Sequence, residues 1–369
     1  MHLPKPHRLL CLTATAALAA AALCGCSQSD DPSPAGRPAG DGHIEFGAYV
    51  STASATRANI ANIGSLRKTG FGVFAATTGD ADYDASAAAG FTCDFMHNQR
   101  VFWKADASGA PGVGTWSYEP AKSWPASKVT FMAYAPYTAT FGETGVTAVT
   151  AADSKGSPRL SFRMASKVSE QTDLIYSDTQ KTSNLRNGGQ VEFNFRHAMS
   201  RLGLKLGASA TINKGSYFTV TGVKLTFPDT DVAGTFDLAA GKWEEKTRST
   251  LECTLSEEDF PYRSNIINQS NGTTAKEITG DGTYLMLIPT ERPVKVTVTL
   301  YYDVATIDSN LQAGEFAVSN EVSDSFEFTF EAGKSYYFTL RVGSNGLDIS
   351  AEAADWDTTI EQGWESETH

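Results

Sequence analysis

Four histidines follow residue 25: His43, His97, His197 and His369. They are the first candidates for proton transfer or metal ligation. None lies at metalloprotease or triad spacing. His197 shares one face of an alternating run with Val191, Phe193 and Phe195, so it reads as a structural histidine of the core or its rim. Asp80, Asp82 and Asp84 have the spacing that opens a calcium loop. Ala85 and Phe91 stand where that loop needs Gly and Glu, so the run reads as a solvated acidic loop. The pairs Asp229/Asp231 and Asp355/Asp357 suit turns, and glycoside hydrolysis would need a set separation in space. Trp103, Trp116, Trp124 and Trp243 could stack on sugars or serve as core and cross-strand pairs. No Gly-x-Ser-x-Gly, P-loop or zinc-type Cys/His spacing occurs. The reading is of a protein that is not an enzyme, with no catalytic residue, cofactor or metal.

Cysteine offers a different chemistry. Lys5 and Arg8 precede an apolar run from Leu9 to Leu23, the form of a secretory signal. The run is short and Ala-rich for a membrane span, which takes about 20 apolar residues. It ends in Leu23-Cys24-Gly25-Cys26, which resembles a lipobox. There the chain is cut before the cysteine, and that cysteine is acylated. Cys26 is therefore the expected lipid attachment site. Several acyl chains make a stable anchor where one binds reversibly. Ser29-Asp30-Asp31 resembles the acidic signal that sends some Gram-negative lipoproteins to the outer face of the outer membrane. Residues 26–42 are rich in Ser, Pro, Gly and Asp and read as a disordered tether.

Removing residues 1–25 leaves 344 residues and moves the formal charge from −12 to −14, because Lys5 and Arg8 depart. That acidity argues against nucleic acid or anionic lipid head groups as partners. Cys93 and Cys253 each lie on the apolar face of an alternating run. They read as two separate buried thiols, one per domain, with a disulfide between them as the alternative in an oxidising compartment.

The elements that would position these residues are almost all strands. Val, Ile, Phe, Tyr and Thr runs recur between Gly, Asp, Asn and Pro, as at 71–75, 129–135, 191–195, 203–206, 218–227, 284–288, 294–302, 325–330 and 335–342. Val294 to Leu300 alternates apolar and polar side chains, the mark of a half-buried antiparallel strand. Leu202, Leu204 and Leu206 fall on even positions whereas Val191 to His197 use odd ones, so a bulge or bend is expected near 198–201. Polar loops are expected at 77–90, 104–114 and 264–282. The length suggests two domains, and strands without crossover helices suggest β-sandwiches.

Several of these strands are familiar as an ordered set. Trp124-Pro125 with Val129-Thr130-Phe131-Met132-Ala133-Tyr134-Ala135-Pro136-Tyr137 resembles a signature of the fimbrillin-like lipoproteins, the subunits of type V pili. So do Thr172-Asp173-Leu174-Ile175-Tyr176-Ser177, Val191 to Leu202, Tyr284 to Pro289 and Phe330 to Leu340, with Trp356 near the end. The resemblance implies an all-β protein of two tandem transthyretin-like antiparallel β-sandwich domains, here 43–187 and 188–369. It implies a structural or adhesive pilus subunit on the outer membrane surface, whose partners are other pilus subunits, host or bacterial surface ligands, and the membrane through its lipid. In polymerising members a protease cuts after an N-terminal arginine. Lipid and first strand depart, and a strand of the next subunit fills the groove. Ile44 to Ala48 resembles the removable strand, and Arg57 is the expected cut site, with Arg67 as competitor. The donor strand would be the tail from Asp357 to His369, about 40 Å when extended. Its apolar anchors are only Ile360 and Trp364. A tip, accessory or anchor role is thus expected ahead of a main stalk role. The alternative is a glycan-binding surface lipoprotein.

Overall fold

The structure, a computed structural model, describes residues 42–50, 63–79, 90–110, 112–177, 190–209, 216–261, 263–268, 272–280, 283–306, 316–343 and 346–356. Cys26, Arg57, the Asp80/Asp82/Asp84 run, His369 and the tail from Asp357 lie outside the described residues. In chain order the elements begin with β1 (Glu45–Val50), α1 (Ile63–Thr69), β2 (Phe71–Gly79), β3 (Met96–Ala105), β4 (Gly114–Ser117) and β5 (Lys128–Ala135). Then come β6 (Gly145–Val149), β7 (Arg159–Arg163), β8 (Ile175–Ser177), β9 (Gln190–His197), β10 (Ser200–Ala208) and β11 (Ser216–Asp237). The rest are β12 (Lys242–Ser256), β13 (Ile266–Asn268), β14 (Lys276–Glu277), β15 (Leu285–Leu287), β16 (Val294–Thr306), β17 (Phe316–Phe328), β18 (Lys334–Gly343) and β19 (Gly346–Asp355).

The protein is all-β, as expected, and its described strands form three sheets. The first has the order β1-β9-β8-β5-β2-β3-β4. The second runs β14-β10-β18-β19, with β15 also on β10. The third runs β17-β16-β11-β7-β6, with β12 and β13 also on β11. Residue 187, the expected domain boundary, falls between β8 and β9, which pair in one sheet. β7 lies before that residue, yet it pairs with the second half of β11. The expected loop at 264–282 contributes two short strands, β13 and β14.

Two apolar cores result. The smaller one gathers Phe46, Phe71, Tyr118, Phe131, Phe193 and Phe195, with Leu66 of α1. The larger one lies among the other two sheets and takes in Phe74, Met132 and Tyr134 from the opposite face of the first. β5 is therefore covered on both sides, and Val129 through Ala135 are all buried. A strand covered on both faces loses its polar alternation. That is why Val129-Thr130-Phe131-Met132-Ala133-Tyr134-Ala135 carries a single polar residue. β9 is covered on one side only and alternates in full. In β16, Val294, Val296, Val298 and Leu300 point inward, as their alternation requires.

The phase change expected near 198–201 marks a passage between sheets. β9 ends in the first sheet and β10 begins in the second. The Ala198 N–H donates to the Leu174 carbonyl at 2.8 Å at the corner. A chain that changes sheets changes which face is inside, so the apolar residues move from odd to even positions. Cys93 and Cys253 are free thiols buried in the same larger core.

Candidate functional site

The first strand has the features of a separable element. Among the described residues β1 is an edge strand, and it runs parallel to β9. Every other pairing in that sheet is antiparallel. Ile44, Phe46 and Ala48 face inward at 2, 2 and 7% exposure, whereas Glu45 is exposed. The Phe46 ring stacks on Phe193 at 5.6 Å, meets Phe131 edge-on at 5.9 Å and lies tilted 5.0 Å from Tyr118. Burying such a ring stabilises by about 1.5–3 kcal/mol, and offset or edge-on partners add to that.

The start of the strand is held by the chain that follows β4. The Ile44 N–H donates to the Lys122 carbonyl at 2.9 Å, and the Trp124 N–H donates to Gly42 at 3.1 Å. The Tyr118 hydroxyl donates to the Ile44 carbonyl at 3.0 Å. Burial raises the Tyr118 pKa, which keeps the phenol protonated as a donor. β1 thus closes one edge of the smaller core. Its departure would uncover the backbone edge of β9 and a groove lined by aromatic rings.

The two candidate arginines differ in setting. Arg67 lies in the last turn of α1. Its guanidinium sits 4.3 Å above the Trp103 ring, which packs edge-on against Trp116 at 5.2 Å. Gly70 ends the helix at φ +70°, and its N–H donates to Leu66 at 2.7 Å. A Cβ there would stand 2.4 Å from the Val101 carbonyl oxygen, so only glycine fits. Helical backbone and a stacked side chain oppose the extended conformation a protease needs. Arg57 lies in the stretch between β1 and α1.

A second cluster joins most of the quoted motifs. His197 Nδ1 and Asp173 Oδ2 are 2.9 Å apart, with both side chains at most 2% exposed. The His197 ring stacks on Trp356 at 3.9 Å with 5° between planes. Arg201 lies over Tyr284 and Trp356 at 4.6 and 5.4 Å, and its Nε donates to Ser335 Oγ at 2.8 Å. The Trp356 N–H donates to the Gly333 carbonyl at 2.9 Å. Residues from β9, β10, β18 and the turn after β19 therefore lock together. A His–Asp pair can activate a nucleophile, but only where substrate can reach it. This one is sealed beneath Trp356, and its work is to pin the C-terminal strand to the corner between sheets. The sequence placed His197 on an apolar face but carried no sign of its partners, which come from distant strands.

The other candidates are structural. His97 Nε2 is 2.6 Å from the Thr150 carbonyl oxygen, and His43 forms an isolated bridge with Ser123. Trp103 and Trp116 are a cross-strand pair. Trp124 packs on Phe131, and Trp243 on Phe162 and Phe236. Asp231 borders a polar cleft of about 510 Å³ lined also by Lys246, Arg248 and Arg292, and Asp229 pairs with those two arginines. Each of these cations already faces a carboxylate at 3.0–3.4 Å. Among the described residues no group of three or more His, Cys, Asp or Glu could hold a metal ion. No described helix is long and apolar enough to cross a membrane.

Comparison with known proteins completes the picture. A family model described as fimbrillin-like matches residues 56–356. A crystal structure of a fimbrial protein from Bacteroides vulgatus aligns with a TM-score of 0.69 and 20% identity, covering 85% of this chain and 99% of that one. At that identity it shows a common fold. Candidate cell adhesion proteins from Bacteroides uniformis and Bacteroides ovatus align at TM-scores of 0.47 and 0.48, each with 15% identity, over 86% of this chain and 100 and 98% of theirs. No curated protein sequence matches.

Proposed function

This chain belongs to the fimbrillin-like family, and from that premise we propose that it is a structural or adhesive subunit of a surface pilus, assembled by strand exchange at the seat of β1. The observation that carries the reading is β1 itself. It is a parallel edge strand whose inward side chains complete an aromatic core. The span matched by the family begins at residue 56, beyond β1. Backbone groups left unpaired on β9 would give an incoming strand its register, and the ring-lined groove would give it affinity.

In this reading Cys26 carries the lipid that holds the exported chain at the outer membrane surface. Cleavage after Arg57 releases lipid and β1 together. Arg67 is the poorer cut site because it is helical and stacked on Trp103. An uncut copy keeps its lipid and serves as an anchor, tip or accessory subunit. The role is non-enzymatic, and the β-sheet framework serves as its scaffold. A glycan-binding surface lipoprotein would display a flat aromatic face, whereas the four partly exposed tryptophans considered for that purpose each pack edge-on against another ring.

The test is limited proteolysis. The purified lipid-free chain is treated with a trypsin-like protease, and the fragments are identified by mass. The expected result is one early cut after Arg57, abolished in Arg57→Ala, followed by loss of the β1 fragment when a strand-donating subunit is added. A first cut elsewhere, with β1 retained in the presence of such a subunit, overturns the proposal.

A further inference from the structure

The seat of β1 is selective about what can fill it. Its three inward positions differ in shape. Ile44 and Phe46 are large and buried, and Ala48 is small and buried. The central position is built for a ring. Phe193 offers a face at 28°, Phe131 an edge at 79° and Tyr118 a tilted ring at 55°, all within 6 Å. An aliphatic side chain there would keep the apolar burial but lose three ring contacts. The outward position Gly47 is buried, and a Cβ there would stand 3.0 Å from Gln190 Nε2 and 3.4 Å from Glu192 Cγ, so a larger residue is taken only if the Gln190 side chain gives way. Selection rests on the inward set: large aliphatic, aromatic, small.

The tail of this chain does not match that set in any register. Alternate positions of Asp357 to His369 offer Ile360 or Trp364 as anchors. With Ile360 in the central pocket, Thr358 and Gln362 take the flanks. With Trp364 there, Gln362 takes the buried Ile44 position and Ser366 the Ala48 position. With Ile360 in the Ile44 position, Gln362 occupies the ring pocket. A primary amide in such an apolar site, away from water and without partners, opposes docking.

We infer that the groove vacated by β1 takes a strand from a different subunit, one with a large aliphatic, an aromatic and a small residue at successive alternate positions, and that it rejects residues 357–369 of a second copy of this chain. The inference rests on the strand-exchange reading above. It makes this chain an acceptor in mixed assemblies.

The test uses the full chain with a specific protease site in place of Arg57, nicked so that the β1 fragment stays seated. Fluorescent peptides compete for the seat, read by anisotropy. The residue 42–50 peptide is expected to displace the fragment. Its Phe46→Ala version is expected to bind at least roughly 150-fold more weakly, the loss that follows from emptying a core aromatic site. The residue 357–369 peptide is expected to fail, and its Gln362→Ile version, which presents Ile, Trp and Ser at the three positions, to bind. If the native 42–50 peptide displaces the fragment and the unmodified tail binds as well as it does, the inference is overturned while the exchange reading stands. If the 42–50 peptide itself cannot displace the fragment, the exchange reading falls and takes the inference with it.

Discussion

Replacing Phe46 by alanine tests the seating of β1 most directly. The ring is 2% exposed and touches Phe193, Phe131 and Tyr118. Truncating a core aromatic to alanine costs about 3–5 kcal/mol, and the spread depends on how far the site can collapse. Because β1 is an edge strand, the loss should appear first as local detachment. Amide hydrogen exchange along β9 reads that step at the alternate amides that donate to β1, since Gln190 to Phe195 lie along the shared register. A 3 kcal/mol loss raises the detached population roughly 150-fold, so protection at those amides should fall by about two orders of magnitude. Global urea unfolding should lose less than the full amount if β1 leaves before the rest. Glu45→Ala, on the exposed side of the strand, is the control and should stay within about 0.5 kcal/mol. If Phe46→Ala and Glu45→Ala give the same exchange and the same urea midpoint, β1 is not seated as described.

Other expectations concern the rest of the scaffold. Burial pushes the thiols of Cys93 and Cys253 from 9.0 up to about 12, so neither should react with a thiol reagent at pH 8 until the chain is unfolded. The neutral form is favoured when folded, so this contribution to stability is present below pH 9 and is lost as pH rises from 9 toward about 12; a denaturation series across that window checks the sign, and unchanged stability would contradict it. Trp356→Ala uncovers the stacked face of His197 and should cost about 3–5 kcal/mol, with β19 amides losing protection before those of β16 in hydrogen exchange. Gly70→Ala places a Cβ 2.4 Å from the Val101 oxygen at φ +70° and should cost at least about 1 kcal/mol in urea unfolding, whereas alanine at the open, exposed Gly109 should cost less.

Much of the secondary structure was legible because one-faced strands write their setting into the sequence. β9 and β16 alternate because one side meets apolar side chains and the other meets water. β5 gave a weaker signal for the opposite reason, since both sides are covered. The corner at 198–201 showed itself only as a change of phase. A shift of inward positions is the same in sequence whether a strand bulges or changes sheets. The buried cluster was harder still to read. Asp173, His197, Arg201, Ser335 and Trp356 each stood inside or beside a recurring motif, but nothing in their spacing tells that they meet.

The sequence alone determined that the chain is built of strands and that Cys253 sits on the apolar face of one of them, whereas Cys93 is buried outside any strand. The first two follow from local periodicity, which needs only the two-residue repeat of extended backbone. Tertiary structure decided the rest. It made β1 a parallel edge strand beside β9, split the core in two across the first sheet, and closed His197 beneath Trp356. The β1–β9 pairing joins Glu45 to Gln190, 145 positions apart (190 − 45). Local periodicity is the same for a parallel as for an antiparallel neighbour, so only the folded chain could choose.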